Sequence, residues 1–131
     1  VAVTDPRAEN DDDYLGVVAL NGTEFLSTSG DYEKYFIENA VRYHHIMDPS
    51  TGYPAESGVT GVTVVCDTGL EADALSTACF VLGVEKGSEL LKKYSADGLF
   101  VDEDHHVYLT EGMKERFSLL ADSYSVEDIA E

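Results

Sequence analysis

Tryptophan is absent from this chain, cysteine and methionine occur twice each, and proline three times. Two cysteines, Cys66 and Cys79, are too few for a disulfide framework, and their spacing is unlike that of zinc ligands. Both read as buried free thiols, because a small Cys side chain packs well in a core; one disulfide between them is the minor alternative. Positive charge is also scarce: 8 Lys and Arg stand against 26 Asp and Glu, a net charge of −18. A surface of that sign repels nucleic-acid phosphates and anionic membranes, so no nucleic-acid partner is expected. It favours solubility, and it would need a bound divalent cation to accept an anionic ligand closely. No apolar run approaches the ~18–20 residues of a membrane helix, and no signal peptide is visible. The chain opens at Val1 without an initiator Met, so it does not speak to targeting.

What is present is enough for one domain. At 131 residues and 44% hydrophobic content, the chain can bury roughly 65–70% of its unfolded surface. Val1 to Arg7 reads as a short strand, and the acidic run Asn10 to Asp13 as a solvated loop that lacks the pattern of a calcium site. Tyr14 to Leu20 and Thr23 to Thr28 are apolar runs around Asn21-Gly22, a strong hairpin signal. Ser29-Gly30-Asp31 reads as a turn, Tyr32 to Ile37 as a strand, and Glu38-Asn39-Ala40 as the return into Val41 to Met47. Gly58 to Asp67 is expected to be a central strand. Leu70 to Leu82 then changes period to a helix, capped by Thr68 or Asp67 and stopped at Gly83, with Leu75, Cys79 and Leu82 as its core stripe. Val84 to Tyr94 follows as a second helix. Leu99 to Asp102 and Val107 to Leu109 form a hairpin whose tip carries His105 and His106 as solvated residues. Thr110 to Arg116 reads as a short helix, Phe117 to Leu120 as a last strand, and the acidic stretch from about residue 121 to Glu131 as a frayed tail.

The most chemically crowded stretch is Arg42 to Ala55. A strand rich in β-branched and aromatic residues runs into Asp48-Pro49-Ser50-Thr51-Gly52, where Pro49 fixes φ, Asp48 can accept backbone hydrogen bonds, and Gly52 can supply positive φ. His44 and His45 are neighbours on a strand and point to opposite faces, so only one is expected to share a site with the turn. Asp73 and Thr77, i and i+4 on the first helix, have oxygens that can converge. They suit Mg²⁺, which binds few protein oxygens together with water and phosphate. From the residues alone, an Asp interacting with the helix dipole and a Thr bonded to a backbone carbonyl are the commoner arrangements.

His45 to Pro54, H-I-x-D-P-x-T-G-x-P, resembles the central motif of the ApbE-type FAD:protein FMN transferases. Thr28 to Phe36 resembles the family's S-G-D-Y-E-R-Y-F segment, and Glu71 to Ala78 its A-D-A-L-S/A-T-A helix. Three motifs in order over about fifty residues are a specific signal. The resemblance runs from about Leu15 to Leu119 and corresponds to the C-terminal half of the family; nothing here matches the N-terminal half, which carries further flavin contacts and a backbone carbonyl ligand to the metal.

The resemblance implies an α+β fold, a largely antiparallel sheet with two or three helices packed on it, as the C-terminal part of an ApbE-like (T-fold-like) domain. It implies Mg²⁺ on Asp73 and Thr77, His45 as the catalytic base, and Met47 lining the FAD site. Asp48 and Thr51 would hold the turn and belong to the same flavin-binding stretch. Met47 stands where Ile or Leu is more usual, and His44 occupies a variable place. The implied activity is Mg-dependent transfer of FMN from FAD, the substrate, to a Thr hydroxyl of an acceptor flavoprotein, with release of AMP. FAD hydrolysis to FMN and AMP, or flavin binding without turnover, are the alternatives. The implied partners are FAD, the acceptor and the N-terminal half of the same protein, with a homodimer as a further option. The implied setting is extracytoplasmic and membrane-anchored in a bacterium.

Overall fold

A computed structural model describes residues 1–10, 13–32 and 34–129. The middle of the expected acidic loop, Asp11 and Asp12, lies outside the described residues, as do Glu33 of the second motif and the last two residues of the tail. The strands are β1 (Ala2–Thr4), β2 (Tyr14–Val18), β3 (Phe25–Gly30), β4 (Tyr35–Glu38), β5 (Val41–His44), β6 (Val59–Cys66), β7 (Asp97–Asp102), β8 (His106–Leu109), β9 (Phe117–Leu119) and β10 (Ser125–Glu127). The helices are α1 (Gly69–Leu82), α2 (Val84–Lys93) and α3 (Glu111–Lys114).

β6 is the spine. All eight of its residues are buried, and it lies inside a five-stranded sheet of order β10-β8-β7-β6-β3. Because side chains alternate along a strand, its two faces feed two cores. Val62, Val64 and Cys66 meet Ala72, Leu75, Cys79 and Phe80 of α1 and Leu91 of α2. Val65, with Leu99, Val101 and Val107, meets Leu15 and Val18 of β2, which belongs to a second sheet of order β1-β2-β9. The result is three layers: helices, central sheet, small sheet. Phe80 and Phe100 are fully buried, and each contributes about 2–3 kcal/mol of apolar burial. Gly87 lets α2 come down on that core, since a Cβ there would stand 2.8 Å from the Phe100 ring.

The helix ends follow their sequence signals. The Thr68 hydroxyl accepts from the Glu71 amide at 3.2 Å, which satisfies one of the free donors of the first turn, and Gly83 closes α1. Leu82, however, is exposed; the core stripe of α1 is Ala72, Leu75, Ser76, Cys79 and Phe80. α2 ends at Lys93, and α3 is shorter than the expected 110–116.

Three readings are corrected. The Asn21-Gly22 segment does not close a hairpin, because β2 and β3 sit in different sheets. β3 instead pairs with β6 over six residues, and the connection is pinned by Glu24, which accepts from the Asn21 amide at 2.8 Å and pairs with Arg116 at 2.6 Å. Ser29 and Gly30 are not a turn but the end of β3, opposite Val62 and Gly61. The tail is not frayed over 121–129. Tyr124 is buried and donates to Asp5 at 2.6 Å, and Ser125–Glu127 adds a parallel edge strand to β8. Burial and the Asp5 carboxylate together push the Tyr124 phenol well above its ordinary pKa.

The β4–β5 hairpin forms a sheet of its own and turns through Asn39 (φ 51°) and Ala40 (φ 64°). Both residues being left-handed is the twist that suits a two-residue hairpin. It leads straight into the functional stretch.

Candidate functional site

β5 stops at His44 rather than running on to Met47. The chain then folds back on itself: the Ala55 amide donates to Ile46 O at 2.9 Å, and Met47 forms an antiparallel bridge with Pro54. Within this loop the Asp48 amide donates to Tyr53 O at 2.9 Å, and the Asp48 carbonyl accepts from Gly52 N at 2.9 Å. Gly52 takes φ 73°, a conformation that a side chain would disfavour. Asp48 Oδ1 accepts from both the Ser50 amide (2.9 Å) and the Ser50 hydroxyl (2.7 Å). The Ser50 hydroxyl, then its amide, holds the Asp48 carboxyl below its ordinary pKa. Thr51 Oγ1 accepts from the Tyr53 amide at 3.2 Å. Asp48 and Thr51 thus build the turn with their own side chains.

The two histidines part company. His44 is 9% exposed and its ring packs edge-on against Phe80 of α1, centroids 5.2 Å apart. The Ile46 amide donates to Nδ1 at 3.2 Å, and Nε2 lies 3.0 Å from Ala55 O. An amide can only donate and a carbonyl only accept, so Nδ1 is bare and Nε2 carries the hydrogen. His44 is therefore a structural clamp. His45 faces the other way and is exposed; its amide donates to Lys34 O at 3.0 Å, and among the described residues no hydrogen bond engages its ring.

Asp73 and Thr77 project from α1 above β3. Ser27 and Ser29, two apart on β3 and so on one face, meet them: the Ser27 hydroxyl donates to Asp73 Oδ1 at 3.4 Å, and Ser29 Oγ lies 3.1 Å from Thr77 Oγ1. Ser29 Oγ also lies 2.8 Å from Ser76 Oγ, and Ser76 donates to Asp73 O at 3.0 Å. Among the described residues no Lys, Arg or His pairs with Asp73. An exposed carboxylate and a hydroxyl on adjacent turns, flanked by further hydroxyls and without a neutralising cation, is a hard-oxygen donor set that fits Mg²⁺. Ser27 and Ser29 are the contributors that sequence reading missed. Their i, i+2 spacing puts them on one face of β3, and it takes on meaning only once α1 is seen to lie over that face.

Asp48 and Thr51 come together with Tyr43, Tyr53, Val81 and Leu82 around a cleft of about 620 Å³, between the turn and the C-terminal end of α1. Ser57 ties the same end of α1 to the motif by donating to Phe80 O at 2.6 Å. Met47 is 49% exposed and does not line this cleft. Asp73 and Thr77 sit nearer the start of the helix, and no hydrogen bond or ion pair among the described residues joins them to His45 or to the turn. In the second motif, Asp31 forms a bidentate pair with Arg7 at 2.7 and 2.8 Å, which raises the Arg7 pKa and anchors the exit of β3.

Two other features stand apart from the motifs. A cavity of about 780 Å³ between α2 and α3 contains none of the motif residues. The β7–β8 turn brings Asp102, Asp104 and His106 within 4.8 Å of one another. There Asp102 already accepts from the Asp104 and His106 amides, and faces His106 Nδ1 and the Tyr108 hydroxyl. His106 thus has a partner, and His105 stacks on Tyr124 at 4.5 Å; neither is the merely solvated residue expected.

A sequence model of the ApbE family matches residues 1–100. The FAD:protein FMN transferase of Treponema pallidum is 39% identical over 128 residues, 97% of this chain and 35% of that protein. That of Klebsiella pneumoniae is 38% identical over 115 residues, 87% of this chain and 36% of the relative. This chain therefore spans about a third of the length of these relatives. Among solved structures, the ApbE protein of Thermotoga maritima superposes with a TM-score of 0.76 at 41% identity, covering 88% of this chain and 37% of that one. The apo flavinyl transferase ApbE of Pseudomonas stutzeri does so at 0.68 and 33% identity, covering 92% and 37%.

Proposed function

Since the chain belongs to the ApbE family, we propose that it is the C-terminal part of an Mg²⁺-dependent flavin transferase, which moves FMN from FAD to a Thr hydroxyl of an acceptor flavoprotein and releases AMP. The observation that carries this reading is the outward-facing oxygen pair of Asp73 and Thr77, seated on the β3 serines.

Mg²⁺, when bound, would neutralise the charge of the FAD pyrophosphate. Asp73 contributes the negative charge that holds it, and Thr77 a neutral oxygen. His45, exposed and with no bond to its ring among the described residues, takes the proton of the acceptor Thr hydroxyl as that oxygen attacks the FMN phosphorus. The bond from that phosphorus to the bridging oxygen breaks, and AMP leaves with that oxygen. Met47, Asp48 and Thr51 form the flavin-binding stretch, kept in shape by the Asp48–Ser50 turn and tied to α1 through His44 and Ser57.

The rest of the same protein, FAD and the acceptor are the partners in this reading, in an extracytoplasmic, membrane-anchored setting. Among the described residues no helix is long and apolar enough to cross a membrane. Incubating the complete protein with FAD, Mg²⁺ and a Thr-bearing acceptor is expected to give flavin fluorescence on the acceptor that survives denaturing electrophoresis. Steady release of FMN and AMP with no label on several acceptors would identify a hydrolase instead, and metal-independent FAD binding without products a non-catalytic module.

A further inference from the structure

The hydroxyls beneath α1 form a chain whose direction can be worked out. Ser76 is fully buried and Ser29 is 6% exposed, so water is largely kept from their oxygens and the protons must be shared internally. Each hydroxyl has one proton to give. Ser76 has two neighbours that can only accept from it, the Asp73 carbonyl at 3.0 Å and Ser27 Oγ at 3.4 Å, whose own proton goes to Asp73 Oδ1; the shorter bond, to the carbonyl, takes its proton. At 2.8 Å from Ser29, Ser76 can then only accept, so Ser29 gives its proton to Ser76. At 3.1 Å from Thr77, Ser29 can likewise only accept, so Thr77 gives its proton inward. With the Ser76 proton on the Asp73 carbonyl, the order is Thr77 to Ser29 to Ser76 to that carbonyl.

The consequence lies on the outer side. A Thr hydroxyl whose proton points into the protein presents lone pairs outward, which is the state a cation requires; with the proton outward it would repel one. On the reading that Asp73 and Thr77 hold Mg²⁺, we propose that Ser29 is a positioning residue for that site. It takes the Thr77 proton and thereby turns the Thr77 oxygen into a standing acceptor. Ser27, donating to Asp73 Oδ1, does the related job of orienting the carboxylate. Ser29 does not touch the metal or the flavin in this scheme; it acts through Thr77.

Partners that orient metal ligands typically account for 10–100-fold in metal affinity. The test is binding of Mn²⁺, used as a paramagnetic stand-in for Mg²⁺, to the complete protein without flavin, followed by electron paramagnetic resonance. Ser29→Ala is expected to weaken Mn²⁺ binding about tenfold, Ser29→Thr, which keeps the hydroxyl, to bind within about threefold of the unaltered protein, and Thr77→Ala to be weakened at least as much as Ser29→Ala. Thermal melting of each variant guards against a folding defect, and Ser29→Thr keeps the comparison informative if Ser29→Ala is unstable. Weakening by Thr77→Ala with no effect of Ser29→Ala would overturn the role of Ser29 while leaving the metal site intact. No effect of either would overturn both.

Discussion

His44 Nε2 donates to the carbonyl of Ala55 at 3.0 Å, across the mouth of the loop that carries Met47, Asp48 and Thr51. Because the other ring nitrogen accepts from Ile46 and the ring lies against Phe80, one side chain fixes the loop and docks it on α1. His44→Ala leaves two buried backbone groups without partners and is expected to cost about 3 kcal/mol in urea unfolding. His45→Ala is expected to change stability by less than about 0.5 kcal/mol while lowering transfer ~10²–10⁴-fold. A His44→Ala variant as stable as the unaltered protein would contradict the clamp.

The turn should also report on pH. Ser50 holds the Asp48 carboxyl below its ordinary value, so the turn's stabilisation is present above the unfolded pKa of about 4 and is lost as pH falls through the lower folded value. In an NMR titration the Asp48 carboxyl carbon is expected to have its midpoint below about 4, and Ser50→Ala to bring it back towards that value. An unchanged midpoint in Ser50→Ala would remove the Ser50 hydroxyl as the main cause, leaving the residue-50 amide.

Cys79 titrates in the opposite sense. Burial raises its thiol to about 12, so folding favours the neutral form; that contribution is complete below the unfolded pKa of about 8.5 and is lost as pH rises towards the folded value. Iodoacetamide at pH 8 is expected to spare Cys79 in the folded chain and to modify it once urea unfolds the protein, as read by mass spectrometry. Rapid labelling of the folded chain would show that the α1–α2 contact is open.

The C-terminal segment offers a test of packing. Tyr124 is buried beside Val107 and Leu109 in the second core, so Tyr124→Ala is expected to cost about 3–5 kcal/mol. Tyr124→Phe, which removes only the bond to Asp5, is expected to cost about 1–2 kcal/mol. If both changes were neutral, residues 121–129 would not be docked.

Sequence pattern found what local chemistry governs. β6, α1 with its Thr68 cap, and the Asp48-Pro49-Ser50-Thr51-Gly52 turn are specified by residues close together in the chain, and each was legible in advance. Pairing between distant strands was not. The Asn21-Gly22 step has hairpin chemistry, yet β3 gains more by lying along the buried β6 than it could beside β2. The tail reads as frayed by composition, and its place comes from distant parts of the fold: Asp5, His105 and the second core hold Tyr124, and the open edge of β8 takes Ser125–Glu127. In the site, the sequence singled out Asp73 and Thr77 but not Ser27 and Ser29 beneath them, because a serine on a strand carries no signal until the helix above it is known. His44 looked like a variable neighbour of His45 for the same reason: its partners, Phe80 and Ala55, are brought to it by the fold.

In the proposed reaction, Asp73 holds the metal on which flavin transfer depends. The most direct test of that role is the intact mass of an acceptor flavoprotein after incubation with FAD and the complete protein, with Mg²⁺ or with a chelator, for the unaltered enzyme and for Asp73→Ala. An added FMN mass on the acceptor and an equal amount of free AMP are expected only with Mg²⁺ and intact Asp73. Undiminished labelling by Asp73→Ala, or labelling that persists in the chelator, would contradict that role.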